Sequence, residues 1–106
     1  GEQTRDYVHV ADVVRANLAA AGRRGFAVYN VGTGRETSVV ELYRLLARAA
    51  GVELEPRFAP AKPGEQRRSV VDASRLAAEL GVGELTELAD GLRATAEWFR
   101  ARAARR

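Results

Sequence analysis

The side chains best suited to chemistry in this chain are cationic. Arg5 stands just ahead of the β-prone run Tyr7-Val8-His9-Val10, a position from which its planar fork projects toward a cleft. Five fixed N–H donors on a permanent charge suit a diphosphate. Lys62, Arg67 and Arg68 flank the loop Pro60-Ala61-Lys62-Pro63-Gly64, and loops of this composition are the segments that close over ligands. Ordinary solvated surface charge is the competing reading for all four.

Other chemistry is thinly supplied. His9 is the only histidine, so a multi-histidine metal site cannot form within one chain, and a lone histidine in a strand is expected to be packed or hydrogen-bonded. Ser38 and Ser69 lack the context of a nucleophile; capping and strand roles account for them. Asp6, Asp12 and Asp72 fall at element edges, where backbone amides need acceptors, and capping is expected of Asp12 and Asp72. Gly32-Thr33-Gly34 has the look of half a phosphate-binding turn. It lacks the further glycine of a dinucleotide fingerprint and the Gly-Lys-Ser/Thr end of a P-loop. A tight strand-to-helix turn needing permissive backbone angles explains it better. Tyr7, Phe26, Tyr29 and Trp98 are too scattered for a base-stacking platform and are expected in the core.

These residues need elements to hold them. Asp12 precedes an Ala-rich segment, Val13 to Ala21, that reads as a helix stopping at Gly22. Phe26 to Val31 is a near-continuous apolar run of strand length, consistent with a buried parallel strand. Ser38-Val39-Val40-Glu41 has capping-box form. The helix it opens carries Val39, Leu42, Tyr43, Leu45, Leu46 and Ala49 on one face and ends at Gly51. Val52, Leu54 and Phe58 mark an extended segment, which Pro56 restricts to an edge or irregular strand. Val70-Val71 reads as a short strand, and Asp72 as the cap of a helix running to about Leu80, with Gly81 after it. Thr86 is the expected cap of a last helix whose apolar positions are Leu88, Leu92, Ala96 and Phe99, with Trp98 alongside. Gly91 inside it costs ~1 kcal/mol against Ala unless close packing requires it.

Composition sets the outer bounds. With 106 residues, 46% hydrophobic and 29% charged, the chain has the make-up of one soluble globular domain. No apolar run approaches the ~20 residues of a membrane span, and no leader pattern is present, so no membrane partner is expected. The lack of cysteine excludes disulfides and suits a reducing, cytoplasmic setting. The lack of methionine makes Gly1 read as an internal residue. Net charge is +3, and Arg100, Arg102, Arg105 and Arg106 crowd the last turns of a helix, where cations suit the dipole. No nucleic-acid reading motif accompanies them, so no nucleic-acid partner is expected.

The order Arg5-Asp6-Tyr7-Val8-His9-Val10-x-Asp12-Val13, then Tyr29-Asn30-Val31-Gly32-Thr33-Gly34, then Ser38-Val39-x-Glu41-Leu42 resembles the C-terminal third of extended short-chain dehydrogenases/reductases. Within that superfamily it is most similar to the UDP-glucose 4-epimerases and related nucleotide-sugar epimerases and dehydratases. The similarity continues through Phe58-Ala59-Pro60, Gly64-Glu65, Val71-Asp72-Ala73-Ser74, Gly91-Leu92 and Trp98, nearly the whole chain. It implies an α/β piece, residues 1–106: the C-terminal substrate-binding lobe of an extended Rossmann-type enzyme, about four helices with short mixed strands, plus a sheet-edge helix and strand. The N-terminal dinucleotide-binding part is not in this sequence.

The resemblance also implies roles. An arginine at the position of Arg5 binds the diphosphate of the nucleotide sugar. Lys62 falls where a second basic residue, usually arginine, binds the same diphosphate; a point charge here replaces a fork. Glu65 takes the place of a residue, commonly aspartate, that contacts the nucleotide ribose. The implied parent reaction is reversible inversion at C4 of a UDP-hexose through a transient keto intermediate on tightly held NAD. Fragments of nucleotide-sugar 4,6-dehydratases and decarboxylases are alternatives. Family members pair Tyr with Lys four residues on, whereas Tyr7, Tyr29 and Tyr43 are followed at that spacing by Ala11, Thr33 and Ala47. No catalytic, cofactor-binding or metal-binding residue is therefore assigned, NAD is expected in the parent and not on this chain alone, and the chain alone should not turn over. A further alternative is a non-enzymatic module that self-associates into homo-oligomers through apolar surface around Phe26 to Val31.

Overall fold

The computed structural model describes residues 1–105; Arg106, last of the terminal arginines and of the expected piece 1–106, lies outside the described residues. Four helices and a small ribbon make an α/β arrangement: β1 (Thr4–Arg5), α1 (Val10–Ala21), β2 (Thr37–Ser38), α2 (Val39–Ala50), α3 (Ser74–Leu80) and α4 (Leu88–Ala104). β1 and β2 are antiparallel, with Thr4 opposite Ser38 and Arg5 opposite Thr37. On the other flank of β1, Thr4 N donates to the Arg67 carbonyl (2.7 Å) and Ser69 N to the Thr4 carbonyl (3.2 Å), the pattern of a parallel neighbour. The segment bearing Arg5 is thus held from both sides.

Helix boundaries follow local chemistry where local chemistry is strong. Ser38 caps α2, its hydroxyl accepting from Glu41 N at 3.2 Å. Gly51 ends that helix in the left-handed region (φ 72°), its N–H bonding back to the last turn; a side chain there would be strained. α2 then packs along α4.

Two expected caps are corrected. α1 begins at Val10 with His9 at the N-cap, so His9 lies in no strand and Asp12 is inside the first turn. Thr86 does not cap α4 either; Glu87 holds that position without a side-chain bond. The two residues bond each other instead: Asp12 accepts from Thr86 N (2.7 Å) and Thr86 Oγ1 (3.1 Å). A buried carboxylate, 2% exposed, needs donors, and the Thr86 pair supplies them across 74 residues of chain. Asp72 does act near a helix start, accepting from Ser74 N at 2.9 Å, although Ala73 is the cap residue of α3. Gly91 lies where a Cβ would come within 3.3 Å of His9 Cβ and Cγ, so close packing explains this glycine.

The strands expected at Phe26–Val31 and Val70–Val71 are not formed among the described residues. Phe26–Val31 is extended and alternates: Ala27, Tyr29 and Val31 turn partly inward while Phe26 and Val28 are 93% and 68% exposed. A ladder needs a neighbour, and none of the described backbone pairs with this stretch. Phe26 is consequently a surface residue, and Trp98, on α4, is exposed as well; neither is core. Tyr29 does pack on the core formed by Ala16, Leu76 and Val82. Its ring lies beside Arg75 (5.1 Å) and Arg23 (5.5 Å), and its hydroxyl donates to Glu79 at 3.1 Å.

That core is small and the surface large. Accessible area is 8331 Å², against roughly 5800 Å² for a compact monomer of this mass. The excess includes Val10, Val14 and Leu18, a second apolar stripe on the outer face of α1. A helix apolar on opposite faces is one built to be covered on both.

Candidate functional site

Asp6 is the hub that sets the preceding residue, Arg5, in place. Its Oδ1 accepts from Thr33 N (2.9 Å) and Thr33 Oγ1 (2.6 Å), and its Oδ2 from Gly34 N (3.0 Å) and Val71 N (3.4 Å). Partial burial pushes this carboxyl up, but the bonds from Thr33, Gly34 and Val71 together outweigh it and hold the group below its ordinary range. Gly32 is needed for the approach: a Cβ there would lie 2.3 Å from Val71 Cγ2 and 2.7 Å from Asp6 Oδ2. The Gly32-Thr33-Gly34 turn therefore wraps an internal carboxylate. Its amides at positions 33 and 34 are taken, and an acid sits where a phosphate would have to be.

Glu36 anchors the other side of the ribbon. It receives Nε and Nη2 of Arg68 (2.7 and 2.6 Å) and the Thr4 hydroxyl (2.7 Å). The Arg68 bonds first, then Thr4, draw its carboxyl down to about 2. Arg68 is thereby spent on structure and removed from the group of available cations. Arg67 is exposed, with no side-chain partner among the described residues.

With both flanks of β1 fixed, the Arg5 side chain runs to the loop ahead of Arg67. Its Nη1 donates to the Thr4 carbonyl (2.6 Å) and the Gln66 carbonyl (2.9 Å), and its Nη2 stands 3.5 Å from Glu65 Oε1. Lys62-Pro63-Gly64-Glu65 is a turn closed by Glu65 N donating to the Lys62 carbonyl at 3.2 Å. Proline second and glycine third, with φ +82° at Gly64, give the type II form, which places the first and fourth residues within about 7 Å of one another. Arg5 and Glu65 are thus in contact across 60 residues of chain, and Lys62 begins the turn that Glu65 ends. Gln66, whose carbonyl orients the guanidinium, carries no sequence signal because a backbone oxygen has no residue type.

The arrangement offers oriented positive charge at a loop edge, able to bind an oxyanion; the one carboxylate beside Arg5 among the described residues is that of Glu65. A separate open cleft of about 680 Å³ lies between the Gly32–Thr37, Val71–Ala77 and Val82–Leu88 stretches. Arg5, Lys62 and Glu65 do not line it, and its rim ion pair, Arg35–Glu87 at 2.9 Å, is exposed and adds little. Among the described residues no cluster of His, Cys, Asp and Glu is placed to hold a metal ion.

A model of the NAD dependent epimerase/dehydratase family matches residues 1–32, the stretch that carries Arg5, Asp6 and Asp12. The UDP-glucose 4-epimerase of Mycolicibacterium smegmatis is 46% identical over 94% of this chain, and the match takes in 32% of that protein. The chain belongs to the NAD-dependent epimerase/dehydratase family. Other epimerase/dehydratase members are nearly as similar: a dTDP-glucose 4,6-dehydratase of Streptomyces griseus is 40% identical over 93% of the chain and 31% of its own length. The fold agrees as well. The UDP-glucose 4-epimerase of Thermotoga maritima, solved with UDP-glucose, superposes with a TM-score of 0.90 at 42% identity, covering 97% of this chain and 33% of that one. The family read from the motifs therefore stands, and the chain spans about a third of the length of the curated relatives it matches.

Proposed function

We propose that this chain is the C-terminal, substrate-side lobe of a nucleotide-sugar epimerase of the UDP-glucose 4-epimerase kind, holding the nucleotide diphosphate of a UDP-hexose with Arg5 and Lys62 and its ribose with Glu65. The observation that carries the reading is the Arg5 guanidinium, oriented by two carbonyls and lying against Glu65 on the turn that Lys62 begins. A 4,6-dehydratase lobe would use the same diphosphate contacts. The parent reaction, inversion at C4 with NAD, needs groups this chain does not supply. The Gly32-Thr33-Gly34 turn does not fit the NAD pyrophosphate, because its Thr33 and Gly34 amides are bonded to Asp6. Covering polypeptide is also part of the reading. The roughly 2500 Å² of surface beyond that of a compact monomer equals a large permanent interface, and the extended Phe26–Val31 backbone with α1 beside it is where a sheet and its flanking layer would join.

Calorimetric titration of UDP-glucose and of UDP tests the lobe. Binding that is lost in Arg5→Ala supports it; no heat from the wild-type chain sinks it. A second reading, a self-associating module, is favoured by Phe26 at 93% exposure beside Val28. Light scattering decides that one: a monomer at high concentration that is unchanged by Phe26→Lys counts against it.

A further inference from the structure

Five N–H donors belong to the Arg5 guanidinium. The two on Nη1 are occupied by the carbonyls of Thr4 and Gln66, at 2.6 and 2.9 Å. The fork still able to receive two oxygens in parallel is the edge formed by Nε and Nη2. Glu65 Oε1 stands at the Nη2 end of that edge, at 3.5 Å, longer than either carbonyl contact. The partners differ in kind. The carbonyls are backbone atoms fixed by the ribbon and orient the group; the carboxylate is a partly exposed side chain (Glu65 37%, Arg5 29%) on a turn whose own backbone bond does not depend on it.

We propose that Glu65 is an exchangeable partner of Arg5: in the empty site its carboxylate occupies Nη2, and an incoming diphosphate takes that place, so that Glu65 opposes binding of the diphosphate itself. The inference rests on the diphosphate-site reading above and adds to it that one residue acts in two opposite senses. Toward the phosphates Glu65 is a competitor. Toward the ribose it is a contact. The balance discriminates against oxyanions that carry no nucleoside, because these meet the competition without the compensating bond.

Two probes separate the two senses. Inorganic pyrophosphate has no ribose and reports the competition alone; UDP reports both. Calorimetric titrations are made with the wild-type chain, Glu65→Gln, Arg5→Ala, the double variant, and Glu97→Gln on α4 as a control for the loss of one negative charge. A partly exposed ion pair contributes little, so pyrophosphate is expected to bind Glu65→Gln about two- to fivefold more tightly than wild type. The gain should vanish in the Arg5→Ala background, should be absent in Glu97→Gln, and should shrink or reverse for UDP. Pyrophosphate binding that is equal or weaker in Glu65→Gln, with wild type binding normally, overturns the exchange and leaves the diphosphate site standing. So does a gain that survives Arg5→Ala. No binding of either probe by wild type and Glu65→Gln alike overturns the diphosphate site, and the exchange with it.

Discussion

Replacing Asp6 by Asn removes one charge and almost no volume, yet the structure assigns it a large cost. Asn keeps an oxygen to face Thr33, but it presents an NH₂ to Gly34 N–H and Val71 N–H, opposing donor to donor. The Gly34 bond at 3.0 Å is lost outright, the Val71 contact at 3.4 Å was already weak, and the two Thr33 bonds lose their charge assistance. Hydrogen bonds to charged groups are worth ~1.5–3 kcal/mol and neutral ones about half that, so the sum is about 2–4 kcal/mol. In urea unfolding followed by far-ultraviolet circular dichroism, with a slope of ~1–3 kcal/mol/M, the midpoint should fall by on the order of 1–2 M. Acid supplies a second reading of the same group. The Asp6 carboxyl sits below its ordinary value when folded, so its stabilisation is present above the unfolded pKa near ~4 and is lost as pH falls through the depressed folded value. The gap between wild type and Asp6→Asn should therefore narrow below about pH 4. A midpoint change under ~0.3 M at neutral pH, or a gap independent of acid, would refute the view that this carboxylate holds the Gly32–Gly34 turn.

The buried Asp12–Thr86 pair should behave as a tether: Asp12→Ala is expected to cost about 2–4 kcal/mol, and Thr86→Val, which keeps the backbone bond, about 1–2; equal costs in urea titrations would contradict the geometry. Gly32→Ala should destabilise by roughly 1–3 kcal/mol through overpacking against Val71 and Asp6. Gly91→Ala meets His9 at only 3.3 Å and gains helix propensity, so thermal unfolding should show a net change within about 1 kcal/mol. Glu36, drawn down to about 2 by Arg68, contributes stability that is present above its unfolded pKa and lost as pH falls toward 2. An NMR titration should find its midpoint near 2 and restored toward ordinary carboxylate values in Arg68→Ala; an unmoved midpoint would show that Arg68 is not the cause.

By itself the sequence determined what short-range chemistry controls. The Ser38 cap and the Gly51 and Gly81 stops follow from side-chain oxygens and positive-φ glycines acting within one turn. Pro63-Gly64 carries its own turn type. The Arg-Asp-Tyr and Tyr-Asn-Val-Gly blocks were enough to read the family. Tertiary structure decided the assignments that depend on a partner far along the chain. Asp12 and Thr86 each have the composition of a helix cap, and local rules assign each to its own helix; burial made each the other's partner. Arg5 and Arg68 look alike as cations near a strand or a loop, and only the position of Glu36 commits Arg68 to the scaffold while backbone carbonyls aim Arg5 at the loop. Phe26–Val31 has the pattern of a buried strand because apolarity records what a segment is meant to contact. Whether it forms a strand depends on a neighbouring backbone, and no described residue provides one.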